Sequence, residues 1–371
     1  MRSSALPSKP HYPILDGLRG VAALVVVIFH ICEAHLPSHV NQPVNHGYLA
    51  VDFFFLLSGF VIGYAYDDRW KEMTLIGFFK RRLIRLQPMV IVGSVIGAAC
   101  FYFQDSALWP QIHAVPVWKV IGIMFIGCTL VPILPRMDIR GLEEMHPLNG
   151  AAWSLFWEYV GNFLYAVFLR KLSRTALTIL VLLSAVLLIQ YGLTAKTGDM
   201  TGGWSIKPLQ VRIGMTRLLF PFLAGLLMSR TIKPPSIPHA FFWCSLLLIV
   251  FLSLPRLGGE THFWMNGLYE SLTIIFIFPL VLYLGAGGKL TNALSTRVCR
   301  FLGDISYPIY ITHYPLIYVY TGWASNHPHV GFWGALPYAT SLFVGSVAIA
   351  YASLKWYDEP VRRWLQKHFQ R

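Results

Sequence analysis

The chain has 371 residues, of which 55% are hydrophobic and only 13% charged, about half the charge of an ordinary soluble domain. That composition excludes a soluble globule, and the basic residues behind the net charge of +13 are spread along the chain rather than gathered on a compact fold that could bind nucleic acid. Five cysteines without any CxxC spacing indicate neither a disulfide framework nor a zinc site, and no metal is expected.

Taken in chain order, the first sixteen residues lack the apolar core of a cleavable signal, so the first apolar run is expected to be a retained span. Runs near the 20 residues needed to cross hydrocarbon fall at about 17–33, 48–66, 86–104, 116–134, 150–169, 175–193, 212–229, 239–254, 266–284, 301–322 and 333–354. The run at 116–134 is broken by Pro116, Lys119 and Pro132. If it does not cross, 21 of the 30 Lys and Arg fall in loops on the N-terminal side and 6 opposite; if it does, the division is 13 against 14. Basic residues favour the cytoplasm strongly. The prediction is an all-α polytopic membrane protein with about ten transmembrane helices and both termini cytoplasmic. It is read as one domain over 1–371, with a cytoplasmic segment at 1–16, an extracytoplasmic excursion at 105–149 and a cytoplasmic tail at 355–371.

Ionisable side chains deep in a bilayer are costly and mark functional candidates. On the first span Asp16, Arg19, His30 and Glu33 share one helical stripe, with His30 about 16 Å beyond Arg19 and Ala23 between them leaving room for a shallow channel. His is the side chain suited to taking a proton near neutral pH. On the fifth span Ser154, Glu158, Asn162 and Tyr165 form a stripe, in which Glu158 needs a partner or a proton. In the tenth, Ser306, Tyr310 and His313 line up between Pro308 and Pro315. His313 could equally serve helix packing, and for His30 the alternative to chemistry is a hydrogen bond to a neighbouring helix, which the aligned charges disfavour. The stretch Lys80-Arg81-Arg82-Leu83-Ile84-Arg85 reads either as a topology anchor or as a phosphate clamp, and Gly59 with Gly63 gives a GxxxG packing signal.

Several segments together resemble the bacterial membrane-bound acyltransferase-3 family. They are Leu15-Asp16-Gly17-Leu18-Arg19-Gly20 followed by His30, and Val51-Asp52-Phe53-Phe54-Phe55-Leu56-Leu57-Ser58-Gly59-Phe60. Arg81-Arg82-Leu83-Ile84-Arg85 with Pro88 and Trp153-Ser154-Leu155 with Glu158 follow in order. Leu302-Gly303-Asp304-Ile305-Ser306-Tyr307-Pro308-Ile309-Tyr310 with Thr312-His313, and Glu359-Pro360 with Arg362, complete the match over nearly the whole chain. The resemblance implies a ten-span protein of the bacterial cytoplasmic membrane. It implies transfer of an acyl group, usually acetyl from acetyl-CoA, to a hydroxyl of a surface glycan, a lipid-linked sugar or a secondary metabolite. Some relatives carry an added esterase-like domain; here the chain ends soon after the last span, so transfer is expected from the membrane domain alone or by hand-over to a separate protein.

On that reading the phosphates of coenzyme A sit at Arg81, Arg82 and Arg85, the pantetheine arm passes Arg19, and the thioester meets His30. His30 takes the proton of the attacking hydroxyl, oriented by either Asp52 or Glu33, while Arg19 binds the donor or stabilises developing charge. Glu158, Ser306, Tyr310 and His313 stand behind these as further candidates. A covalent acyl-enzyme on Ser58 or Ser306 is the other chemical route. The rival class is a proton-coupled secondary transporter, which also uses intramembrane His, Glu and Arg, although no inverted repeat is evident.

Overall fold

The computed structural model describes residues 9, 11–36, 41–234, 236–259, 261–290 and 292–369. Residues 1–8 and 10 of the N-terminal segment and 370–371 of the tail, including the Arg2 and Arg371 counted above, lie outside the described residues. All regular elements described are helices: α1 Pro13–Glu33, α2 Ala50–Tyr66, α3 Leu75–Cys100, α4 Val117–Thr129, α5 Ala152–Val167, α6 Arg174–Thr194, α7 Pro208–Thr231, α8 Ala240–Ser253, α9 Phe263–Leu272, α10 Phe278–Gly287, α11 Ala293–Asn326, α12 Leu336–Ser353 and α13 Glu359–Phe369. A π turn joins α9 to α10 and another joins α12 to α13.

Seven of these units are long and apolar enough to cross a membrane: α1, α2 with its preceding turn, α3, α6, α7, α9–α10 and α12–α13. α5 and α8 have only 16 and 14 residues, and the 34-residue α11 carries polar and charged groups. Outward-facing apolar side chains such as Leu182 (62% exposed) and Phe242 (60% exposed) could not be left to water on this scale. The chain is an all-α polytopic membrane protein.

Helix α3 begins eleven residues earlier than the apolar run at 86–104. Thr74 caps it by accepting from Gly77 N–H at 3.0 Å, and no proline falls between Leu75 and Pro88, so the basic stretch forms its first turns rather than a loop. α4, at 13 residues, reaches about 20 Å, short of the roughly 30 Å of hydrocarbon. Gly97 of α3 abuts Leu148, and Gly93 lies against Asn149. Both ends of the 101–151 segment therefore meet at one end of the bundle.

Small residues let backbones touch. A side chain on Gly20 would run into the Leu302 carbonyl, fixing α1 alongside α11; one on Gly59 would meet the Phe222 carbonyl, and one on Gly225 the Leu56 carbonyl, fixing α2 alongside α7. This is the close approach that the GxxxG spacing signals. Pro315 frees the Ile311 carbonyl within α11, and Asn149 Nδ2 donates to it at 2.8 Å. Asn149 thus ties the start of α5 to the kinked helix that carries His313.

Candidate functional site

A cavity of about 830 Å³ opens between α1, α2, α3, α5, α11 and the start of α13. It lies at the end of the bundle where α1, α3 and α11 begin, here called the basic end. Six arginines line it: Arg19, Arg81, Arg82, Arg85, Arg300 and Arg362. Three are neutralised by neighbours. Arg19 Nη1 pairs with Asp16 Oδ1 at 2.9 Å, Arg82 Nη2 with Glu158 Oε1 at 2.6 Å and Arg362 Nη2 with Asp358 Oδ2 at 2.7 Å. Asp16 also receives His11 Nε2 at 2.7 Å, and this hydrogen bond raises His11 above its ordinary range.

Arg81, Arg85 and Arg300 have neither an ion pair nor a hydrogen bond among the described residues. Arg85 is exposed and lines the cavity. Of the three arginines expected at phosphates, Arg82 therefore has another engagement: it is 3% exposed and held by Glu158. Arg81 and Arg85 are left without a directly paired carboxylate among the described residues.

The polar stripe of α5 finds its partners one by one. Ser154 Oγ lies 2.7 Å from Tyr310 Oη, Glu158 Oε1 accepts from Ser58 Oγ at 3.0 Å as well as from Arg82, and Tyr165 Oη donates to Asp67 at 2.8 Å. Asn162 is fully buried with both amide atoms unpartnered. Ser58, Glu158, Ser306 and Tyr310 all line the cavity.

His30, Glu33, Asp52 and His313 do not line it. Tyr310, packed at 5.3 Å against Phe54, closes its inner end; the His313 ring lies 5.9 Å further, and the His30 ring 5.7 Å beyond that. The channel expected beside Ala23 does not exist, because Ala23 is wholly buried with Val27, Ile309 and Ala350. His30 Nδ1 faces Glu33 Oε2 at 2.9 Å. A carboxylate can only accept there, so Nδ1 carries the proton and the Nε2 lone pair is left to take another. Of the two groups expected to orient His30, Glu33 is the one beside it. Asp52 is instead bound to Arg217, at 2.6 Å from Nη2 and 3.3 Å from Nε, and is fully buried. His313 Nδ1 donates to the carbonyls of Ile309 and Tyr310 at 3.0 and 2.8 Å, leaving its buried Nε2 without a partner.

Beyond His30 lies the 101–151 segment. The Tyr314 ring is 4.8 Å from His30 and 4.8 Å from Tyr318, and Tyr318 Oη donates to Glu144 at 2.5 Å. The Arg140 guanidinium lies 3.6 Å over the Tyr318 ring and 4.9 Å from that of Trp109. Burial pushes the Glu144 carboxyl up to about 7, against the opposing pull of Arg140 and the Tyr318 hydroxyl.

Spacing could not reveal Arg217 as the partner of Asp52, since 165 residues separate them. The signal that could have found Arg300 is a second α11 stripe, since Arg300, Asp304 and Tyr307 share a face at i, i+4 and i+7, about 100° from the one through Ser306, Tyr310 and His313.

With this geometry in place, the match to known proteins is direct: residues 12–355 fit the acyltransferase-3 family profile, described as an acyltransferase domain. The chain belongs to the acyltransferase-3 family. It is 32% identical over 184 residues to "Protein 2 in picA locus" of Rhizobium radiobacter, covering 47% of this chain and 92% of that protein. It is 25% identical over 332 residues to O-acetyltransferase OatA of Staphylococcus aureus, covering 85% of this chain and 52% of OatA. A putative peptidoglycan O-acetyltransferase, YrhL of Bacillus subtilis, is 26% identical over 337 residues, covering 84% and 49%. The acyltransferase-3 chain described here thus spans about half the length of the two longer relatives. No solved structure matches it.

Proposed function

We propose that this acyltransferase-3 protein moves a short acyl group, acetyl in the first instance, from acetyl-CoA to a hydroxyl of an exported or cell-surface glycan or lipid-linked sugar. The observation that carries the reading is the cavity at the basic end, where Arg81 and Arg85 have no directly paired carboxylate among the described residues and where planar guanidinium forks suit phosphate oxygens. The named activities of OatA and YrhL support acetyl as the group and a glycan as the acceptor.

The donor's phosphates bind Arg81 and Arg85, and its pantetheine arm runs along the cavity past Arg19 and Ser306 toward Tyr310. The Tyr310 ring swings aside to admit the thioester to His30. His30 Nε2 accepts the proton of the acceptor hydroxyl as its oxygen attacks the thioester carbonyl; the ester forms, the carbon–sulfur bond breaks and the thiolate leaves to be protonated. Glu33 holds the imidazole in the required tautomer, and general-base catalysis of this kind is worth roughly 10²–10⁴ in rate.

The topology read from the charges accompanies this proposal: ten spans, both termini cytoplasmic and 105–149 outside, in the cytoplasmic membrane of a bacterium. The shortness of α4 and the common end at which Gly97 and Leu148 meet support it. The basic end then faces the cytoplasmic donor pool, while the 101–151 segment faces the acceptor.

The test is to supply purified protein in lipid with labelled acetyl-CoA and a hydroxyl-bearing glycan. Label in an ester on the glycan, with one thiol released per ester, is expected; a proton-coupled solute flux without thioester consumption would establish the transporter instead.

A further inference from the structure

Arg300 belongs to none of the segments that carry the family resemblance, yet it lines the same cavity as Arg81 and Arg85, from the facing helix. It is exposed and has no partner among the described residues. The other cavity arginines outside α3, Arg19 and Arg362, are each tied to a carboxylate. Arg81 and Arg85, spaced i, i+4 on α3, repel one another at that spacing. Three guanidiniums without a directly paired carboxylate, on two walls of one cavity, suit an anion with more than one charged group.

Their depth divides them. Tyr307 Oη of α11 donates to the Leu86 carbonyl of α3 at 2.6 Å, and Gly93 rests on Ile311, so the two helices run in the same direction. Arg85 adjoins Leu86 and lies eight residues before Gly93, whereas Arg300 lies seven residues before Tyr307 and eleven before Ile311, which sets Arg300 about 5 to 9 Å nearer the mouth than Arg85; Arg81, one turn before Arg85, lies at about the level of Arg300. Side chains on both helices tilt toward the N-terminus, which preserves the offset. Arg85 and the facing Arg81 and Arg300 thus offer anion-binding groups at two depths. Coenzyme A carries its charge in two places: a diphosphate next to the pantetheine arm, and a 3′-phosphate on the ribose, further from the thioester.

Resting on the coenzyme A reading above, we infer that Arg300 binds the 3′-phosphate at the mouth of the cavity, opposite Arg81, while Arg85 holds the diphosphate deeper in. The 3′-phosphate is then recognised by α11, the helix that also carries His313, so the two ends of the donor are registered against one rigid element.

Equilibrium binding of coenzyme A and of 3′-dephospho-coenzyme A to the purified full chain tests this. The unaltered protein is expected to prefer coenzyme A by about tenfold, the lower end for hydrogen bonds to charged groups. Arg300→Ala should bind coenzyme A about tenfold more weakly and dephospho-coenzyme A unchanged, abolishing the preference. Arg300→Lys should restore part of it, and Arg85→Ala should weaken both ligands alike. Retention of the preference in Arg300→Ala, or equal weakening of both ligands, would overturn the inference. Failure of the unaltered protein to bind either ligand would overturn the donor reading itself, and that outcome is visible without any variant.

Discussion

Asp52 and Arg217 form a fully buried ion pair, with Oδ2 2.6 Å from Nη2, and the same guanidinium donates to the Tyr48 carbonyl at 3.1 Å and the Gly202 carbonyl at 3.3 Å. One charged side chain thereby fastens α2, α7 and the loops before each of them. Asp52 sits in the motif that resembles the family's second span, but its contacts make it a fastener of helices rather than a partner of His30.

Asp52→Ala is expected to leave Arg217 buried and uncompensated, at a cost of about 3–5 kcal/mol. The thermal midpoint in detergent should fall sharply. The double variant Asp52→Ala with Arg217→Met should recover most of that loss, since no lone charge remains. A single variant as stable as the parent would show that the pair does not fasten the helices.

Arg82 and Arg85 stand three residues apart and are expected to fail in different ways. Arg85→Ala should weaken coenzyme A binding by about 1.5–3 kcal/mol with little change in melting. Arg82→Ala strips Glu158 of its ion pair and should lower the melting temperature, an effect that Glu158→Gln in the same chain should relieve. Thermal melts beside binding titrations separate the two, and identical profiles would mean that both residues serve the same role.

These contrasts show where sequence was informative. The apolar runs located every long helix, because hydrocarbon demands length and apolarity that composition displays openly. The stripes on α1, α5 and α11 were legible for the same reason: residues three and four apart share a face. Which stripe meets which was not legible. Arg82 with Glu158 and Asp52 with Arg217 are contacts between distant helices, and a single sequence carries no record of them. The earlier start of α3 was missed because a window of apolarity passes over a charged helical turn that Thr74 caps.

The inner end of the cavity is held by the 2.7 Å contact between Ser154 Oγ and Tyr310 Oη. Tyr310→Phe removes that hydrogen bond, worth about 1 kcal/mol, and frees the ring to move. Basal hydrolysis of acetyl-CoA by water, without acceptor, should rise in Tyr310→Phe and in Ser154→Ala alike. Unchanged hydrolysis in both would mean that Tyr310 does not gate access to His30.

Glu144 supplies a pH dependence. Its carboxyl titrates near 7 in the folded protein, against 4.5 ordinarily, so the folded state holds its proton more tightly than the unfolded chain. The resulting stabilisation is full below pH 4.5 and is lost as pH rises through 7. Melting temperature should therefore decline between about pH 5 and pH 8, and Glu144→Gln should flatten that decline. An equal slope in both proteins would assign the dependence to other groups.

The central claim is that His30 performs the proton transfer for a hydroxyl attacking a thioester delivered from the basic end. Its most direct measurement is esterification of a glycan by purified His30→Ala, run beside coenzyme A titration of the same preparation. The account predicts that ester formation falls by about 10² or more while coenzyme A affinity stays within about twofold, since Arg81 and Arg85 are untouched. Near-normal turnover in His30→Ala, with the donor still bound, would contradict it.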